Sequence, residues 1–328
     1  MSANIKLLKT RIKSVDSTLH LTRAMQLVAA SKIRKATEKL AASRSYLDAF
    51  GTVMAQLASS SECASSPFLK PRSGKRAILI VIAGDRGLAG GYNAGAFRKA
   101  AEAFSSADDD ENAGGYDIIE VIPIGRRGFE RWNTLTKRSY GAEAFTVQEC
   151  AELCDDLCKR YLNDEFDRLL LVSTEYISVM QCEAHLSCLL PFERPSGGSA
   201  RPAEFEPDSE TVLNAVVPEY ICSMLFGAVR ESFACEVAAR RVAMDSATKN
   251  ASIMMDGLQL EYNRARQSAI TQELTEIIAG AAAETLHNTL PLRFRKEFIK
   301  WQKNLQELSP RLSARSLTFT FPTGGCPQ

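Results

Sequence analysis

The 328-residue chain, long enough for two modules, is 24% charged and 45% hydrophobic with a net charge of +1, ordinary values for a soluble protein. No stretch reaches the roughly 18–20 uninterrupted apolar residues of a membrane span. The start, Met1-Ser2-Ala3-Asn4-Ile5-Lys6, has neither a signal-peptide core nor a transit pattern, and nine scattered cysteines read as reduced thiols, so a bacterial-type cytoplasmic protein is expected. The near-zero charge is unevenly spread. Residues 1–50 hold ten Lys and Arg against three acidic residues, a basic helix that suits nucleic acid, an anionic membrane surface, an acidic protein, or simply solvent.

From Ile5, steps of three and four pass through Leu8, Ile12, Val15, Leu19, Thr22, Gln26, Ala29, Ile33, Ala36, Leu40, Ser43, Leu47, Phe50, Met54 and Leu57, with no proline or glycine before Gly51. That is the coiled-coil spacing, and it predicts a helix over 1–58. Residues 58–75, rich in Ser and Pro, read as a linker. A central Rossmann-like α/β domain follows over 75–195. Ala77–Ala83 is a continuous apolar run, the pattern of a strand buried on both faces. A glycine turn, Gly84–Gly91, and a helix of about a dozen residues from Tyr92 come next. Strands are expected over Ile118–Ile124 and Phe166–Thr174, and helices near Arg126–Trp132 and over Val147–Tyr161. Ser178–Leu190 alternates, with Met180, Cys182, Ala184, Leu186 and Cys188 on one side, as a half-exposed strand does. Strands alternating with helices imply a layered domain with a mostly parallel sheet.

The last helical segment is assigned to 210–285. Its proline-free run, Glu219–Glu284, predicts a helix of roughly 100 Å at about 1.5 Å per residue, with Pro218 in the first turn. Its seam runs through Ile221, Leu225, Ala228, Ser232, Cys235, Ala239 and Val242, then slips and resumes through Met244, Ala247, Ala251, Met254, Leu258, Tyr262, Ala265 and Ala269. The two ends of the chain therefore form a long antiparallel two-helix coiled coil. Residues 24–30 and 277–283 are apolar nearly all round, which two helices alone cannot bury, so other chains must surround them there.

Candidate chemistry is sparse. The turn Gly84-Asp85-Arg86-Gly87-Leu88-Ala89-Gly90-Gly91 sits where a phosphate loop would, but it matches neither G-x-G-x-x-G nor a P-loop, and glycine after a strand more often serves turn geometry. Cys150, Cys154 and Cys158 share one helix face, yet zinc needs a fourth ligand and core packing is the simpler role. His20, His185 and His287 are widely separated, His20 and His185 have no acid–base partner in sequence, and Asp85 and Arg86 lack a nucleophile or second carboxylate. No catalytic constellation, cofactor site or metal site is expected.

Three blocks resemble the gamma subunit of the F-type ATP synthase. They are Arg11–Val15 with Leu21–Lys32; Asp85–Asn93; and Ala239–Met244 with Tyr262–Gln267 leading into Ile270–Ala283. The resemblance spans about residues 2–284. It implies a non-catalytic central rotor stalk on the cytoplasmic face of the bacterial plasma membrane. It also implies contacts with the alpha and beta subunits of the catalytic ring, the epsilon subunit and the membrane ring of c subunits, and neither nucleic acid nor a small-molecule substrate. By motif position it places partner contacts at Met25, Arg86, Ala89, Arg240, Arg266, Gln267, Thr271 and Glu273. The chain departs from the family in a tail, 286–328, expected to be a flexible extension with a basic amphipathic piece over Leu292–Leu308, and in Ala89, where many relatives carry cysteine. The rival readings are a stand-alone nucleotide-binding α/β protein with a coiled-coil arm, and a nucleic-acid-binding coiled coil.

Overall fold

The computed structural model describes residues 2–60, 63, 66–105, 115–192 and 205–289. They divide into two compact units: Lys13–Met255, which carries the sheet, and a second in which the described residues, 2–12 and 256–289, are helical. Two helices dominate, α1 (Ser2–Ser59) and α5 (Ser209–Thr289), as the end-to-end seams predict.

Within the sheet-bearing unit the two helices run antiparallel. Arg230 donates to Ser43 Oγ at 2.9 Å, Gln26 donates to Asp245 at 2.9 Å, and Thr248 Oγ1 donates to Thr22 Oγ1 at 3.0 Å. Thr22, Gln26 and Ser43 are the three non-apolar positions on the predicted α1 seam, and each has found a polar partner on α5. Every seam position from Ile5 to Leu57 is buried or half-buried. The backbones approach closely at Gly227, where an added Cβ would lie 2.8 Å from a Leu47 methyl. On α5 one position departs from expectation: Met254 is 57% exposed, and Met255 takes the half-buried place between Ala251 and Leu258.

The sheet orders its strands β2-β1-β3-β4, where β1 is Arg76–Ile82, β2 Asp117–Ile124, β3 Arg168–Tyr176 and β4 Cys182–Leu190. β1 pairs in parallel with β2 and β3, and β4 closes one edge antiparallel to β3. Alternate β1 side chains serve opposite faces. Ile78, Ile80 and Ile82 meet Leu153, Leu157 and Tyr161 of α4 (Val147–Leu162) and Leu225 of α5 in the main core. Ala77, Leu79 and Val81 meet Ala96, Ala100 and Ala103 of α2 (Tyr92–Ser105). A short α3 (Arg126–Trp132) follows β2. Thr146 and Glu149 form a reciprocal capping box that starts α4. β4 begins at Cys182, because Ser178–Gln181 closes as a turn, and Met180 is 80% exposed rather than on the inner face.

Two expectations fail for the same reason: distant burial outweighs local composition. The Ser/Pro-rich segment after α1 is anchored, with Cys63 and Phe68 fully buried, Phe68 stacked on Tyr161 at 5.9 Å, and the Cys63 thiol against the Ser209 carbonyl at 3.2 Å. The last helix also starts at Ser209, not after Pro218, capped by Asp208, which accepts from the Thr211 N–H at 2.7 Å. A proline inside a helix costs about 3 kcal/mol. Leu213 and Val217, both buried, offset it at about 1.5–3 kcal/mol each. α5 also contains an 18-residue window of mean hydropathy 1.6, enough by composition to cross a membrane. Residues such as Ile221, Leu225 and Val229 instead lie in the domain core. The expected tail falls outside the described residues from position 290.

Candidate functional site

The glycine turn after β1 is built around Asp85. Its carboxylate accepts from the backbone N–H groups of Arg126 at 3.0 Å, Ala142 at 3.0 Å and Glu143 at 2.8 Å. Asn93 Oδ1 accepts from Gly84 N–H at 2.9 Å. Asp85 is thus a fastener for neighbouring loops, and its charge disfavours a phosphate at this turn. The cavity beside Gly90, Gly91 and Tyr92, about 280 Å³, is lined by residues such as Val179, Met180, Ala239 and Val242, with no lysine or arginine. These features do not make a nucleotide site.

Arg240 of α5 holds the turn from the other side. Its Nη2 donates to Glu236 Oε1 at 2.6 Å and to the Gly87 carbonyl at 3.3 Å. Burial lifts the Glu236 carboxyl above the ordinary carboxylate range, and the Arg240 charge pulls it part of the way back. So Arg240, placed among the partner contacts by sequence, is mostly spent inside the chain. Its side chain is 19% exposed.

Met25, Arg86 and Arg240 line one groove of about 460 Å³, together with Val28, Lys32, Phe233 and Val237. The fold brings these three predicted positions together. Ala89 does not join them: it is 2% exposed, packed with Tyr92 and Cys235, and presents no surface to a partner. The exposed apolar side chain of the turn is Leu88, at 62%. Leu88 also holds φ at +64°, a left-handed conformation that costs an ordinary residue roughly 1–2 kcal/mol. A strained, exposed leucine is a contact candidate that spacing alone misses; its sequence signal is an apolar residue stranded between glycines. Nearby on α1, Leu21, Leu27 and Val28 are 56%, 67% and 58% exposed.

The helical unit carries the other four predicted positions, Arg266, Gln267, Thr271 and Glu273, all exposed on α5. Their hydrogen bonds are local: Thr271 Oγ1 donates to the Gln267 carbonyl at 3.0 Å, and Gln272 donates to Glu276 at 2.8 Å. Tyr262, Ala265 and Ala269 are half-buried, and Tyr262 and Ala269 line a shallow cavity with Ile5, Lys6 and Lys9 of α1. From Ile270 to Ala282 every residue is exposed, including Ile270, Leu274, Ile277 and Ile278 at 45%, 54%, 67% and 67%. A soluble chain rarely leaves such a run uncovered unless another chain binds it.

Acid–base chemistry finds no constellation among the described residues. His185 Nε2 sits 3.2 Å from Ser173 Oγ, and His20 lies exposed beside Asp16 at 3.7 Å.

Comparison with known proteins places the chain in a family. A family model described as ATP synthase matches residues 4–283. An ATP synthase gamma chain from Ruminococcus albus is 40% identical over 289 residues, covering 85% of this chain and 98% of its own. One from Alkaliphilus metalliredigens is 38% identical over 299 residues, covering 86% and 99%. Among solved structures, a chain of the Euglena gracilis mitochondrial ATP synthase (OSCP/F1/c-ring) aligns with a TM-score of 0.61 at 17% identity, covering 89% of this chain and 98% of its own. A chain of the Tetrahymena thermophila central stalk and c-ring aligns at 0.54 and 23% identity, covering 69% and 99%.

Proposed function

This chain belongs to the ATP synthase gamma chain family, and from that premise we infer that it is the central stalk of the complex, coupling rotation of the membrane ring to ATP synthesis or hydrolysis in the catalytic ring. The observation that carries the reading is the bare stretch Ile270–Ala282, whose Ile270, Leu274, Ile277 and Ile278 stand exposed inside the span shared with the family. The alpha and beta subunits cover that stretch, while the epsilon subunit and the ring of c subunits engage the sheet-bearing unit. The chain has no catalytic activity of its own. It is peripheral, held to the cytoplasmic face of the bacterial membrane through the complex.

The physical role follows from asymmetry. A stalk that touches three chemically identical beta subunits differently shifts each site's conformational population only by its differential contact energy. Each tenfold difference in nucleotide affinity requires about 1.4 kcal/mol of such difference. Arg266, Gln267, Thr271 and Glu273 are proposed as contacts with beta-subunit loops, as are Met25, Arg86 and Leu88 at the groove. Arg240 acts by holding the turn in place. The test is ATP hydrolysis by alpha and beta subunits reconstituted with the full chain and with a version stopped after Ala283. Activation by both supports the stalk reading, and failure of both to assemble with the ring sinks it. Activation by the shortened version alone makes the tail a brake.

A further inference from the structure

The sheet-bearing unit contains a thiol cluster for which the stalk role has no use. Cys150 and Cys154, one turn apart on α4, face Cys222 of α5, and the three sulfurs lie within 4.8 Å of one another. Spacing along α4 suggests Cys158 as the third member; the fold supplies Cys222 instead. Cys150 and Cys154 are fully buried and Cys222 is 7% exposed, and all three are free thiols. Leu153, Leu157, Ile221 and Leu225 belong to the same apolar cluster. Cys222 also borders a groove of about 430 Å³ with Tyr46, Leu47, Phe226 and Gly227, the side from which a ligand would reach the cluster.

We propose that Cys150, Cys154 and Cys222 form a binding site for a trivalent thiophilic ion of the arsenite type, held by three sulfurs. Ligand number and charge select this class. Structural zinc takes four donors, and among the described residues no fourth histidine, cysteine or carboxylate joins the group. Three thiolates around a divalent ion leave one net negative charge, and around a monovalent ion two. An unpaired charge in an apolar core is strongly disfavoured. A trivalent centre with three thiolates is neutral. Arsenous acid, As(OH)₃, meets three thiols to give As(SR)₃ and three waters. Three S–H and three As–O bonds break, three As–S and three O–H bonds form, and each thiol proton leaves on a departing hydroxide. No oxidation state changes, so no oxidant or reductant is needed. The product ties α4 to α5.

The experiment uses the reduced full-length chain and arsenite as the probe, read by native mass spectrometry and X-ray absorption at the arsenic edge. The expected result is one bound arsenic with loss of three hydrogens, three sulfur neighbours and a raised melting temperature. The adduct is lost in Cys154→Ala and Cys222→Ala and kept in Cys158→Ala and Cys182→Ala. Two sulfurs and one oxygen around the arsenic would assign it to a dithiol such as Cys182 and Cys235 and overturn the proposal. Survival of the three-sulfur adduct in Cys222→Ala, or zinc binding that arsenite cannot displace, overturns it equally. If the alanine variants do not fold, the wild-type absorption spectrum decides alone.

Discussion

Two stretches of α5 are built from the same kinds of residue and meet opposite fates. Between Leu213 and Ala238, Ile221, Leu225 and Val229 are at most 3% exposed, covered by α4, the sheet and α1. Between Ile270 and Ala282, isoleucines and a leucine stand 45–67% exposed. The hydrophobic effect acts on both alike. What differs is the covering partner, supplied by this chain in the first stretch and, in the proposed function, by other subunits in the second. Apolar composition marks a surface for burial without saying which molecule does the burying.

Leu225→Ala gives the largest effect in the isolated chain, a loss of about 2–5 kcal/mol by chemical denaturation. A loss near zero would break the contrast at its buried end. A charged pair of sites sharpens it. Asp167, 7% exposed, accepts from Arg76 Nε at 3.1 Å, and that hydrogen bond is the main cause holding its carboxyl below the ordinary range. A depressed carboxyl contributes stability above its unfolded pKa and loses it as pH falls through the folded value. Asp167→Asn should therefore cost about 1–2 kcal/mol at neutral pH and progressively less below about pH 4, whereas the exposed Glu273→Gln should change stability at neutral pH by no more than about 0.5 kcal/mol. Gln26→Ala, which removes one polar rung of the helix pair, should cost about 0.5–1.5 kcal/mol in the same assay. Smallest for the isolated chain is Ile277→Ser, within about 0.5 kcal/mol. The same substitution should lower ATPase activation by the reconstituted ring, and unchanged activation would remove the bare stretch from the proposed interface.

Periodicity made the α1 seam legible, because each step of three or four is a local property of one helix. The strands were legible for a similar reason: Ala77–Ala83 has a composition that only a doubly covered strand needs. Most of the larger misreadings are long-range. Pro218 is a helix start by local rules, yet Leu213 and Val217 carry the helix back to Ser209. Phe68 converts a linker composition into an anchored segment. Cys222 joins Cys150 and Cys154 only through the packing of α4 on α5. At the turn, motif position pointed to Ala89, but the backbone turns that methyl inward and Leu88 outward.

The three polar rungs, Thr22 with Thr248, Gln26 with Asp245 and Ser43 with Arg230, also limit how the gene can change length. Because the strands of the pair run in opposite directions, each step up α1 matches a step down α5. One residue inserted between Gln26 and Ser43 would rotate everything beyond it by about 100° and offset the remaining pairings. Only an equal insertion in the facing stretch of α5, or one close to whole turns in both, restores them. Tolerated insertions and deletions in these helices should therefore come in matched pairs.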